Sequence, residues 1–268
     1  MMLVLYETVY QLRLFVRRPA AMFFVIAMPV LLLVIFTAIF GNTEIAGQGI
    51  TIAQRYTPTL AVFAAVLGAY TYLAIATASA RDLGVLKRVR GTPLPPRIDI
   101  ASRVAAAGLI ALAAAAAVIA CGMLLYSVTL LPEKLPAAIL SLLVGIMCFA
   151  ALGMAVAALC RTAATAQAVS NATILSVAFI SDVFVRPDGR IPPWIDRIAG
   201  VFPLKHLSLA FSDGFKPLLN GNGFAFAGDA ATYAIGQHLL VMALWGLFGA
   251  VIAFAFFRWE RQRGGSRR

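Results

Sequence analysis

Six stretches of about twenty residues run almost free of charge, at about Ala20–Phe40, Thr57–Ala78, Val104–Leu125, Ala137–Leu159, Ala166–Val185 and Gln237–Phe257. Crossing a hydrocarbon layer of about 30 Å takes roughly 20 apolar residues as a helix. Within a bilayer every backbone N–H and C=O must be paired inside the protein, which leaves helices or a closed barrel. The runs are continuous and rich in Ala, Leu, Val and Phe, not alternating, so helices are expected. Only 12% of the residues are charged, about half the ~25% usual in soluble domains. The expected fold is an all-α integral membrane protein, a single transmembrane domain over 1–268.

Net charge is +11, which in a soluble protein would suggest nucleic acid. Six spans sort the charges differently. Arg13, Arg17, Arg18, the cations between Arg81 and Arg103, Arg161 and the five arginines after Phe257 fall on one side with four carboxylates. The other side holds seven cations and seven carboxylates. Lys and Arg accumulate in cytoplasmic loops, so the basic side is expected to face the cytoplasm. Both termini then lie there, the chain sits multi-pass in the cell membrane, and no nucleic-acid partner is needed.

Residues 1–18 read as an amphipathic helix, with Leu5, Val9, Leu12 and Val16 on one face and Glu7, Gln11 and Arg18 opposite. Arg13 and Arg17 sit at the margin, where they can snorkel to head groups. A helix lying on membrane lipids fits this pattern. Pro19 is placed to open span one, and Pro29 to kink it. Gly41–Arg55 reads as a short polar loop. Span two carries Thr57, Thr59, Tyr70, Thr71, Tyr72 and Thr77, too polar for a wholly lipid-facing helix. Span three is dominated by alanine, which permits close helix approach. Cys121, Cys148 and Cys160 match no metal spacing and read as small packers. Residues 186–236 are too apolar for a solvated loop. Two short helices are expected there, one opening at Ile191-Pro-Pro-Trp194 and one over Leu204–Phe215, as outer half-helices buried against the bundle.

The longest charged island, Arg81–Arg97 within the loop 79–103, stands between spans two and three. Leu83, Leu86 and Val89 recur every third residue and give a short helix one apolar flank, with Lys87 and Arg88 pointing away. Asp82 near its start and the later cations suit the helix dipole. Arg90 lies at the edge of the apolar arc. Thr92-Pro93 and Pro95-Pro96 end the helix.

No phosphate loop, HExxH or GxSxG motif is present, and buried ionisable relays are sparse. The chain carries no ATPase site or cofactor of its own, so a pathway through it would borrow power from another chain. It resembles the ABC-2 type permeases, the membrane subunits of a class of ATP-binding-cassette exporters. The resemblance rests on Arg17-Arg18-Pro19, Pro29, the island from Arg81, Asp82 and Gly84 through Leu86, Lys87, Arg88 and Arg90 to Thr92-Pro93, and the run from Pro192-Pro193-Trp194 to Phe202-Pro203-Leu204. It implies that Arg81, Asp82, Leu83, Gly84, Leu86, Lys87, Arg88, Val89, Arg90, Thr92 and Pro93 form a coupling helix seated on a cytoplasmic ATPase that uses ATP and Mg. It also implies a dimeric pathway, as homodimer or with a similar permease, and re-entrant half-helices over 186–236. The drug-export branch is the expected one, with a drug-like or lipid substrate. A glycolipid or polysaccharide exporter is the alternative, and a membrane scaffold or sensor the alternative of another class. Gln167, Ser170, Asn171, Asp182, Lys205 and His206 are the candidate pathway or gate residues; Asp182 stands where the resemblance leads one to expect glycine.

Overall fold

The computed structural model describes residues 2–45, 49–91, 95–181, 183–184, 192–215 and 230–257. Thr92, Pro93, Asp182 and the arginines after Phe257 lie outside the described residues, as does the side chain of Arg90. Among the described residues the chain is helical, with one isolated bridge between Glu44 and Thr51. The order is α1 (Met2–Val16), α2 (Pro19–Phe40), α3 (Ile52–Asp82), α4 (Val85–Arg90), α5 (Pro96–Tyr126), α6 (Pro132–Leu159), α7 (Ala163–Ile180), α8 (Pro193–Ala199), α9 (Pro203–Ser212) and α10 (Ala230–Phe256). Six of them, α2, α3, α5, α6, α7 and α10, are long and apolar enough to cross a membrane. The all-α, six-span expectation holds.

α3 is the core of the bundle. From Ile52 to Val66 every residue except Arg55 is buried, beneath α2, α5, α6 and α9. This is how a polar span is accommodated. The Thr57 hydroxyl donates to the Ala53 carbonyl at 2.7 Å, Thr59 donates to Tyr56, and the Tyr70 hydroxyl bonds Thr173 at 2.7 Å. The two threonines are satisfied by carbonyls of their own helix and Tyr70 by a neighbouring one, so these hydroxyls are buried without loss of their hydrogen bonds.

Small residues set the helix spacing. Ala107, Ala111, Ala114 and Ala115 of α5 are buried, and a Cβ at Gly68 would lie 3.0 Å from the Ala111 backbone. Across the other face of α3, a Cβ at Gly153 would stand 2.7 Å from the Tyr70 carbonyl oxygen. Glycine at both positions lets backbones meet, as membrane helices require when dispersion holds them together.

Pro29 cannot donate to the carbonyl one turn earlier. The backbone answers with a π-helical turn over Phe23–Ala27. A second π turn occupies Leu67–Tyr72 of α3.

Several boundaries differ from expectation. α3 starts at Ile52, so Arg55 is helical: Thr51 caps the helix by accepting the Gln54 N–H at 3.2 Å. α5 starts at Pro96, well before Val104, and takes Arg97, Asp99 and Arg103 into its first turns. The Arg103 guanidinium grips the Asp99 carboxylate at 2.8 and 3.1 Å, and both side chains are buried. α7 stops at Ile180, short of Val185. In α1 the side turned to the protein is Thr8, Gln11 and Phe15, packed on α5, with the Phe15 ring edge-on to Tyr72 at 5.0 Å. Gln11, expected on the solvent face, is thus buried. Leu5, Val9 and Val16 are exposed beside it, free to meet an apolar medium.

Candidate functional site

The island after α3 is tied to the turn between α6 and α7. The Arg81 guanidinium is buried and donates to the Ala157 carbonyl at 2.7 Å and to the Cys160 carbonyl. The next side chain, Asp82, accepts the N–H of Ala163 at 2.7 Å. A cation thus sits on the carbonyl end of α6 and an anion on the N–H end of α7, the favoured sign at each helix terminus. Thr162 and Thr165 complete the start of α7 with a reciprocal cap. Burial pushes the nearby Cys160 thiol up in pKa, opposed by its bond with Thr165 and by the Arg81 charge.

Beyond this clamp the chain turns at Gly84, whose φ of +70° is left-handed, a conformation glycine adopts without strain. α4 then starts at Val85. The expected single apolar flank of Leu83, Leu86 and Val89 is therefore split. Leu83 lies before the break and is 66% exposed, whereas Leu86 is 0% exposed and belongs to the chain's own core. Val89 is half-buried, and Val85, Lys87 and Arg88 are exposed. The outward surface of the loop is Leu83, Val85, Lys87 and Arg88. Arg81 and Asp82, assigned to the same loop from sequence, are occupied inside the chain.

Of the residues singled out on span five, Gln167 and Asn171 are exposed and line a cavity of about 690 Å³ between α2, α3 and α7. Ser170 points the other way. It is fully buried and donates to the Ala166 carbonyl at 2.7 Å.

At the opposite end of the bundle α8 and α9 are fastened to their surroundings. Lys205 is buried and ion-paired with Asp196 of α8. His206 Nδ1 meets His238 Nδ1 of α10 at 2.7 Å, and His206 Nε2 meets the Gly200 carbonyl at 2.8 Å. Trp245 of α10 donates to the Val201 carbonyl at 2.8 Å and stacks on Phe202. The turn that follows α9 is held by Gln54, which no sequence motif marks. Its Nε2 donates to the carbonyls of Thr129 and Phe215 at 2.6 Å each, and its Oε1 accepts the Thr129 N–H at 2.9 Å. Lys134 adds an ion pair to Asp213 at 3.4 Å.

No curated protein matches the chain. The family model of the ABC-2 type transporter matches residues 3–215, from α1 through the short helices α8 and α9 and including the clamped island. A match over that much of the chain, on a bundle of six membrane-crossing helices, shows that the protein belongs to the ABC-2 type transporters and is the membrane subunit of an ABC transporter rather than its ATPase.

Proposed function

We propose that this chain, paired with a second copy or a similar permease, forms the pathway of an exporter of hydrophobic or amphipathic molecules, drug-like or lipid. The motor is a pair of separate cytoplasmic ATPase chains that bind ATP and Mg. The basic end of the bundle faces the cytoplasm, with both termini, in keeping with the sorting of cations to that side. The observation that carries the reading is the Arg81–Asp82 clamp. A motor pressing on the exposed surface of α4 moves, through Gly84, a segment that Arg81 and Asp82 tie to the turn between α6 and α7, so one push reaches three spans. α8 and α9, re-entrant from the outer side, would close the far end.

The second copy is supported by α7. Gln167 and Asn171 are exposed on a helix long and apolar enough to cross a membrane. Polar side chains on membrane-crossing helices mostly face a bundle interior or a water-filled path.

The test is reconstitution of the purified complex with its ATPase into liposomes. Substrate-stimulated hydrolysis and transport are expected to fall together in Gly84→Pro, because proline cannot adopt the positive φ of the hinge. Unchanged hydrolysis and transport in that variant would overturn the coupling role. Reaction of a Glu133→Cys label only from the cytoplasmic side would overturn the orientation.

A further inference from the structure

We infer that a small cavity between α3 and α9 binds a halide-sized inorganic anion, held by the Arg55 guanidinium and the hydroxyls of Ser208 and Ser212. The inference goes beyond the transport reading and does not rest on it.

The cavity is framed by two polar pairs on helices that pack together. Arg55 and Thr59 stand four residues apart on α3, and Ser208 and Ser212 four apart on α9. Residues at that spacing lie one above the other on the same helix face. Each helix therefore brings two polar groups to the gap. The remaining wall is apolar and includes Ile50, just before α3, and Leu209.

A buried hydroxyl here is unspent. Thr37, Thr57, Ser141 and Ser170, also buried in helices, each donate to a carbonyl of their own helix. Thr59 does the same toward Tyr56 at 3.0 Å. Ser208 and Ser212 are only 2% and 8% exposed, yet the Ser212 hydroxyl has no hydrogen-bond partner among the described residues. Such a group is rare in a folded protein, and burying it without a bond is costly.

The charge is unspent as well. Arg55 is half-buried and forms no ion pair with a described residue. No carboxylate lines the cavity, and Asp213, next to Ser212, is committed to Lys134 at 3.4 Å. A guanidinium offers donors only, and a serine hydroxyl can donate. An anion receives charge-assisted bonds from this set, whereas a cation meets a like charge and a water leaves the guanidinium uncompensated.

Size narrows the class. At about 50 Å³ the cavity holds fewer than two waters at their ~30 Å³ share of the liquid. Drug-sized ligands need about 300 Å³ or more. A monatomic anion of chloride's class fits. It would tie α9 to α3 one residue from Gln54, which already holds the turn after α9 through the Phe215 carbonyl.

The test uses the full chain, purified in halide-free gluconate buffer and titrated with chloride or bromide at constant ionic strength. The thermal midpoint should rise saturably with either halide. At about twice the dissociation constant, hydrogen exchange of the α9 amides should slow about three-fold, as for a ligand that binds only the seated helix. Arg55→Gln and the double variant Ser208→Ala/Ser212→Ala should each lose the halide response. Both should melt near the parent in gluconate, since neither Arg55 nor Ser212 spends its side chain on a bond within the described chain. Halide-independent melting and exchange in the parent would make the cavity a water site and overturn the inference. A response that survives in either variant is a general salt effect and overturns it too. So does a response to phosphate or acetate without one to halide, which would assign Arg55 to a polyatomic acid such as a lipid head group.

Discussion

Arg81 and Asp82 are neighbours in sequence, yet they hold opposite ends of one turn: Arg81 the last carbonyls of α6, Asp82 the first N–H of α7. Removing Arg81 leaves buried carbonyls unpaired, and hydrogen bonds to charged groups are worth about 1.5–3 kcal/mol. Arg81→Leu should lower the thermal midpoint of the purified protein, and Asp82→Asn should do so less, because an amide oxygen still accepts from Ala163. If the clamp transmits force, ATP hydrolysis in Asp82→Asn should persist while its stimulation by substrate is lost. Normal stimulation with a lowered midpoint would make the clamp a structural brace only.

Asp99 and Arg103 form a two-pronged ion pair inside the first turns of α5. Removing one partner of a buried pair strands the other charge and costs about 3–5 kcal/mol, while replacing both by apolar residues of similar volume is often near neutral. Arg103→Met and Asp99→Leu should each unfold the protein at markedly lower temperature. The double variant should recover most of the loss, read from thermal melts in one detergent.

The Gln54 amide makes three hydrogen bonds that join the start of α3, the α5–α6 connection and the turn after α9. Gln54→Leu keeps the volume and strands three backbone groups. With about 1–3 kcal/mol for each buried group left unsatisfied, and some of them reaching water, a loss of roughly 2–4 kcal/mol is expected. Proteolysis between α6 and α9 should quicken in this variant before the helices at the basic end loosen.

The six spans were legible because hydropathy is a property of short windows, and the alanines of span three announced close packing for the same reason. The clamp was not. Its partners lie about eighty residues apart, Arg81 from Ala157 and Asp82 from Ala163, and nothing local distinguishes a loop cation awaiting a partner protein from one already bound within the chain. The Asp99–Arg103 pair did carry a signal, an acid and a base four residues apart as helix neighbours are. Its burial carried none, because the same spacing is equally common on solvent-facing helices. Gly84 was read as part of a motif; that it interrupts the helix, separating Leu83 from Leu86, follows from its backbone conformation. The cavity between α2, α3 and α7 joins three segments distant in sequence, so Gln167 and Asn171 could be picked out as polar but not set beside Arg17 and Arg18.

Cys160 lies in the clamped turn, and burial raises its thiol pKa above that of the unfolded chain. Folding therefore favours the protonated form. That contribution to stability is complete below the ordinary thiol pKa of about 8.5 and is lost as pH climbs through the raised native value. Since the thiolate is the reactive species, maleimide labelling of Cys160 at pH 8 should be slower in the native protein than in the unfolded one. The gap should narrow as pH rises. Arg81→Leu removes a charge that lowers this pKa and should slow native labelling further. A pH-independent ratio would assign the slowness to access alone.

Leu83 and Leu86 offer the sharpest separation of docking from folding. A motor that grips this loop meets Leu83, which is exposed, and cannot reach Leu86, which has no accessible surface. Leu83→Asp places a charge where water already is, so the isolated permease should keep its thermal midpoint within the small range of surface substitutions, about 0.5 kcal/mol. Its affinity for the ATPase should fall by at least ten-fold if the leucine is seated in the partner. Leu86→Asp forces an unpaired carboxylate into the core and should destabilise the permease by several kcal/mol, lowering complex formation only through the folded fraction. Comparing melts of the free chain with co-purification of the ATPase distinguishes the two. If Leu83→Asp binds the motor normally, the exposed surface of α4 and its preceding turn is not where the motor docks.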